Sequence, residues 1–149
     1  MGSEVATFLD GQRVAHLATA SADGRPHVVP VCFARIEQRL YIAIDEKPKR
    51  AVPMQLRRVR NILENPRVAL VADVYREDWS QLGFVLVEGL ARVLGAGDEH
   101  DEAVRVLRAK YQQYEAMALE QRPIVAIDIE RTTHWGTTSA LAADDGNGG

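Results

Sequence analysis

The chain has 149 residues, a single cysteine (Cys32), 46% hydrophobic and 26% charged residues, and a net charge of −3. This is the length of one domain with enough apolar content for a core, and one cysteine excludes an internal disulfide. The acidic balance argues against general nucleic-acid binding, and no apolar run approaches the roughly 20 residues of a membrane span.

Met1 to Leu9 is too short for a secretory signal and carries Glu4 where cations would stand, so a cytoplasmic protein is expected. Ser3 to Leu9 predicts a short helix capped by Ser3, with Val5, Phe8 and Leu9 on its apolar face. Gln12 to Ser21 reads as a strand. The turn Ala22-Asp23-Gly24-Arg25 follows, where Asp-Gly supplies positive φ. His27 to Ile36 is the next strand, and Pro30, lacking an N–H, predicts an edge, a bulge or a break within it. After a turn at Glu37-Gln38-Arg39, Leu40 to Ile44 is a third strand, and the three form an antiparallel meander.

Lys47 to Asn61 is the most unusual stretch. It holds six of the 18 Lys and Arg residues (Lys47, Lys49, Arg50, Arg57, Arg58, Arg60) and no acid. In an acidic protein such a run predicts an anion-binding segment, against the plain alternative of a solvated helix face. Pro48 marks a loop and Pro53 the first turn of a helix whose apolar stripe is Leu56, Val59, Ile62 and Leu63, with Arg57, Arg58 and Arg60 off or beside that stripe. Asn65-Pro66 stops the helix.

Arg67 to Tyr75 predicts a strand buried on both faces, and a charged loop at Arg76 to Asp78 leads to Trp79. Gly83 to Leu94 is a long strand with a bulge at Gly89, ended by Gly95 and Gly97. Asp98 to Tyr114 is the second clear helix, capped by Asp98 or Asp101, with Ala103, Val104, Leu107 and Tyr111 facing the core. Pro123 to Glu130 is the last strand, with Asp128 and Glu130 facing solvent, and His134-Trp135-Gly136 closes the ordered part with Trp135 as a core plug. Residues 1–139 form one domain and 140–149 a disordered tail. The sum is a mainly β protein of about six antiparallel strands, a small β-barrel with peripheral helices.

The four histidines (His16, His27, His100, His134) lack metal-ligand spacing, and without cysteine clusters no zinc site is expected. Neither a Rossmann nor a Walker glycine pattern is present. Cys32 reads as a small buried hydrophobe and His27 as a solvated or satisfied histidine. No catalytic constellation stands out.

The series HLATASADGRPHVVPVCF, LYIAIDEKPKR, RNILENPRVALVAD and VEGLARVL resembles the pyridoxamine 5'-phosphate oxidase-like split β-barrel, an FMN-binding-like fold, from about Gln12 to Gly136. The run DEKPKR with the arginine-rich helix, and YREDWSQL, are similar to the branch of oxidoreductases dependent on coenzyme F420, a deazaflavin. The resemblance implies a homodimer with two cofactor sites at the subunit interface and a small-molecule substrate; the acidic balance and the lack of a long apolar run already speak against nucleic-acid and membrane partners. The resemblance places His27, Val29, Pro30, Val31 and Cys32 along the ring, and Ile44, Asp45, Lys47, Lys49, Arg57, Arg58 and Arg60 on the phosphate side. Trp79 would close the partner's site. A deazaflavin carries its own hydride, so the protein need supply only binding and orientation. The alternatives are an FMN-dependent flavoprotein of the pyridoxamine phosphate oxidase kind, and a carrier that binds the cofactor without turning it over.

Overall fold

The computed structural model describes residues 1–45 and 56–136. Lys47, Lys49, Arg50, Pro48, Pro53 and the tail expected at 140–149 lie outside the described residues. In chain order the elements are α1 (Ser3–Gly11), β1 (Ala15–Ala20), β2 (Pro26–Val31), β3 (Ala34–Ile36), β4 (Arg39–Ala43), α2 (Arg57–Glu64), β5 (Arg67–Val74), β6 (Gly83–Leu94), α3 (Asp98–Lys110) and β7 (Ile124–Gly136). Short 3-10 turns at Trp79–Gln81, Gln112–Ala116 and Leu119–Gln121 fill the connections.

The seven strands form one antiparallel sheet in the order β2-β1-β5-β6-β7-β4-β3. The expected strand from His27 to Ile36 is two strands, because the ladder breaks at Cys32-Phe33. This is why seven strands stand where six were expected. The break also makes the barrel. β2 pairs with β1, β3 pairs with β4, and these halves of one bent run occupy opposite ends of the strand order. The expected meander is therefore real but split, each half of the bent run serving one neighbour. Pro30 sits on β2, where the missing N–H faces no further strand.

Two layers of core result. Inside the curled sheet, Leu17, Leu40, Ile42, Leu70, Val85, Val87, Val125 and Ile127 pack with Phe8 and Leu9 of α1 and with Val59 and Ile62 of α2. Outside it, α3 lays Ala103, Val104 and Leu107 on Tyr41, Ala43, Ile124 and Ala126. Each fully buried Leu or Ile contributes about 1.5–3 kcal/mol. The strand buried on both faces is consequently β4, under α3, and not β5. On β5 Val68, Leu70 and Ala72 are buried while Ala69 and Val71 are only partly covered.

Smaller differences have local causes. Gly2, not Ser3, is the N-cap of α1, and Gly97, not Asp98 or Asp101, caps α3. The acids Asp98, Glu99 and Asp101 instead occupy the first turn, where the helix dipole favours them. α3 ends at Lys110, with Tyr111 as its C-cap. In the first hairpin only Gly24 takes positive φ, at 85°. The bulge expected at Gly89 is present: Glu88 opposes Arg131 and Gly89 opposes Ile129, leaving Glu130 extra. Glycine is required there, since a Cβ on Gly89 would lie 2.3 Å from the Asp128 carbonyl oxygen. β7 runs on to Gly136, beyond the expected end at Glu130, because β6 offers partners along its whole length. Trp135 is thus on a strand, 56% exposed and stacked on Phe84, and does not plug the core.

Candidate functional site

Three residues expected along a cofactor ring (Pro30, Val31, Cys32) and two expected at its phosphate (Asp45, Arg58) line one cleft. It lies between the β2–β3 bend and the exit of β4, has a volume of about 150 Å³, and is lined by Val14, Pro30, Val31, Cys32, Ile42, Ala43, Asp45 and Arg58. Its wall is apolar except for one carboxylate and one guanidinium. Cys32 is half-buried, more open than a core residue.

Arg58 comes from the first turn of α2 and is only 7% exposed. It was expected beside the apolar stripe, but it faces inward with Val59, Asn61 and Ile62, whereas Leu63, assigned to that stripe, is 60% exposed. Asn61 is buried because its Nδ2 donates to Thr19 Oγ1 at 3.0 Å, a satisfied polar contact inside the barrel. Opposite Thr19 on β2 stands His27, half-buried, whose Nδ1 is buried without a hydrogen-bond partner. This is neither a solvated nor a satisfied histidine. His27 does not line the cleft, and its Nδ1 is shut off from solvent.

The opposite wall is braced from behind. The Tyr114 hydroxyl donates to Asp45 Oδ2, and burial together with that carboxylate holds the phenol well above its ordinary pKa. Ile44 donates its N–H to the Pro123 carbonyl and accepts from Arg122 Nη1, each at 3.3 Å. Its side chain is fully buried, so Ile44 anchors the wall without lining the cleft. The Tyr111 hydroxyl accepts from the Phe33 N–H at 3.1 Å and offers its proton to the carbonyls of Arg13 and Phe33 at 2.8 and 3.1 Å. Lys110 Nζ lies 3.9 Å from the Phe33 ring centroid, and burial pushes its pKa down to about 8. Val29 is half-buried against the core, adjacent to Pro30.

The remaining arginines face elsewhere. Arg57 and Arg60 join Ser21, Asp23, Arg25, Asn61 and Glu64 around a polar cleft of about 160 Å³ between the first hairpin and α2. Three guanidinia there outnumber two carboxylates, and Arg25 already pairs with Asp23 at 3.3 Å. A broader hollow of about 580 Å³ runs over the outer face of β1, β5 and β6, floored by Ala18, Ala20, Ala69 and Gly89 and rimmed by Arg67, Glu88, Glu130 and Arg131. Trp79 is 70% exposed at the β5–β6 connection and lines none of these three clefts.

A second charged cluster lies away from the clefts. Asp128, expected to face solvent, accepts from Arg92 Nε at 2.8 Å and from Arg39 Nε at 3.0 Å. Arg92 also reaches Glu99 at 2.8 and 2.9 Å, and the Tyr41 hydroxyl donates to Glu99 at 2.9 Å. The Arg92 hydrogen bonds hold Glu99 down at a pKa of about 2, and burial raises Tyr41 to about 12. Among the described residues no group of His, Cys, Asp and Glu forms a metal site, and no helix is long and apolar enough to cross a membrane.

The brace formed by Tyr111 and Tyr114 escaped the sequence reading. The signal for it was two tyrosines three apart at the end of the helix expected from Asp98 to Tyr114, the first of them on the core face.

The model of the family described as pyridoxamine 5'-phosphate oxidase matches residues 1–136. A 5a,11a-dehydrotetracycline/5a,11a-dehydrooxytetracycline reductase of Streptomyces rimosus is 32% identical over 142 residues, covering 94% of this chain and 92% of the relative. Among solved structures, the conserved hypothetical protein Rv2991 of Mycobacterium tuberculosis superposes with a TM-score of 0.74 at 21% identity, over 95% of this chain and 88% of that one. An FAD-binding protein of Mesorhizobium loti superposes with a TM-score of 0.67 at 26% identity, over 90% and 94% of the two chains. The chain belongs to the pyridoxamine 5'-phosphate oxidase family.

Proposed function

We propose that this member of the pyridoxamine 5'-phosphate oxidase family is a cytoplasmic oxidoreductase that uses reduced coenzyme F420 to transfer a hydride to a small organic acceptor. It works as a homodimer with a cofactor site at each end of the subunit interface. The observation that carries the reading is the placement of Arg58. A buried guanidinium lies in the wall of the same cleft as Pro30, Val31, Cys32 and Asp45. A guanidinium there binds phosphate as a planar fork. Residues of this chain fit the group: Arg58 takes the phosphate, and the β2 backbone and Pro30 support the ring.

The cleft's volume of about 150 Å³ suits a polyol phosphate and is too small for a tricyclic ring. The ring must therefore extend over the edge of β2, where Val28 is 61% exposed. A second subunit seated on the small-residue hollow of β1, β5 and β6 covers that face, and its exposed Trp79 closes the site. The bound deazaflavin supplies the hydride; the chain's part is to orient it and exclude water. The deazaflavin is favoured over FMN because its acidic tail extends past the phosphate, and Arg25, Arg57 and Arg60 supply cations beyond Arg58. The S. rimosus relative, by its name a reductase, supports the direction of transfer.

FMN remains the second reading, favoured by the M. loti neighbour described as FAD-binding. The full chain is titrated with coenzyme F420 and with FMN while its tryptophan fluorescence is followed. The expected result is tighter binding of F420, with oxidation of the reduced form by an unsaturated acceptor. Tight FMN binding without F420 binding turns the reading to a flavoprotein. F420 binding with no turnover across an acceptor panel turns it to a carrier.

A further inference from the structure

We propose that Tyr114 is a positioning residue for the cleft: its hydroxyl fixes the Asp45 carboxylate as an acceptor for a hydroxyl group on the cofactor's side chain. The inference rests on the cofactor reading above, and it holds for F420 and FMN alike because both carry a hydroxylated chain ending in phosphate.

Asp45 lines the cleft together with Arg58. A carboxylate repels a phosphate, so Asp45 has no direct use in holding one. Its oxygens only accept hydrogen bonds, so the ligand group it suits is a donor. The donor-rich stretch of a ribityl-phosphate cofactor is the polyol chain next to the phosphate.

Left to itself, an Asp at a strand exit would turn to solvent. Here one carboxylate oxygen, Oδ2, is taken by the Tyr114 hydroxyl from behind the wall. Tyr114 is 4% exposed, and its ring packs on Tyr111 with centroids 5.5 Å apart and planes tilted by 58°. The Tyr111 hydroxyl in turn clamps Phe33, the residue after Cys32 at the β2–β3 bend. One turn of chain after α3 thus holds both walls of the cleft. A phenylalanine would fill the space of Tyr114 equally well; what it would lose is the hydrogen bond to Asp45.

The test is a double-mutant cycle on the full chain, read by titration with F420 and with FMN. Tyr114→Phe keeps the ring packing and is expected to weaken whichever of the two ligands the wild type binds by three- to tenfold, with the thermal midpoint moved by no more than a few degrees. Asp45→Ala leaves the tyrosine pair in place and is expected to weaken binding at least as much. Because Tyr114 acts through Asp45, the double variant should bind no more weakly than Asp45→Ala alone. Wild-type affinity in Tyr114→Phe, or a further loss when Tyr114→Phe is added to Asp45→Ala, would overturn the proposal and leave Tyr114 a structural brace. Failure of the cofactor reading looks different: the wild-type chain itself binds neither ligand, and the inference falls with it.

Discussion

Arg39 and Arg92 flank β7 from β4 and β6, and their guanidinia are committed to Asp128 and Glu99. Arg57, Arg58 and Arg60 lie along α2, a helix with no basic residue in its last turn and no acid in its first. The first group is a closed ledger of charge in which two cations meet two anions. In the second, no ion pair among the described residues engages Arg57 or Arg60, and Arg58 is drawn into a cleft wall. The same side chain therefore has two uses in one small barrel. Where carboxylates are placed opposite it, arginine ties elements together. On α2, Arg57 and Arg60 border an open cleft in which guanidinia outnumber carboxylates, a setting that suits an added anion.

If that contrast is right, substitutions in the two groups should separate binding from stability. The largest effect is expected at Arg58→Gln. Hydrogen bonds to charged groups contribute about 1.5–3 kcal/mol, so affinity for F420 or FMN should fall by roughly 10- to 100-fold. Equilibrium titration checks this, and an unchanged affinity would return Arg58 to a structural role.

Arg92→Gln should do the reverse, leaving affinity unchanged and lowering stability. The loss is about 1–2 kcal/mol, below the full value of charge-assisted bonds because the three side chains are 29–40% exposed. Denaturant unfolding measures it. The same variant should alter the acid limb of the stability curve. Glu99 is held at about 2 when folded against an ordinary value of 4.5, so its contribution is complete above about pH 4.5 and is lost as pH falls through 2. Asp128, lowered chiefly by the same Arg92, adds to this limb. In Arg92→Gln the slope between about pH 4.5 and 2 should flatten.

Much of this contrast was legible before the structure. The basic run, the helix that carries three of its arginines, the glycine turn at Gly24 and the bulge at Gly89 all follow from local chemistry that short stretches express. What the sequence concealed depends on packing between distant segments. Pro30 announced an edge, a bulge or a break in this run, but the position of the break at Cys32-Phe33 is not visible as a pattern, because apolar residues continue through it and Tyr111, 78 residues away, holds it. Arg58 reads as a surface cation by residue type, yet the α2 register that buries Val59 and Ile62 carries it inward too. Asp128 alternates as a solvent-facing residue should, and only the pairing of β4, β7 and β6 brings Arg39 and Arg92 to it. The doubly buried strand was misassigned for a similar reason. β5 has the more apolar sequence, but cover on the outer face is decided by where α3 lands, over β4 and β7.

The smallest effects are expected at Arg57 and Arg60, and they sharpen the contrast within α2 itself. Both are exposed on the polar cleft shared with Ser21, Asp23, Arg25 and Glu64, so water and salt screen them. Arg57→Ala and Arg60→Ala should each weaken F420 binding only two- to fivefold, about 0.4–1 kcal/mol, in the range of exposed charge pairs. The loss should shrink as salt is raised from low to physiological ionic strength, whereas the loss at Arg58 should persist, because a buried guanidinium is screened far less. FMN, which ends at its phosphate, should be nearly indifferent to both exposed substitutions. If FMN and F420 lose affinity equally at Arg57 and Arg60, the outer arginines hold the phosphate itself, and the division of α2 into a phosphate side and a tail side does not exist. If neither ligand responds, the cleft between the hairpin and α2 is ordinary solvated surface, and only Arg58 among the described arginines of the helix belongs to the site.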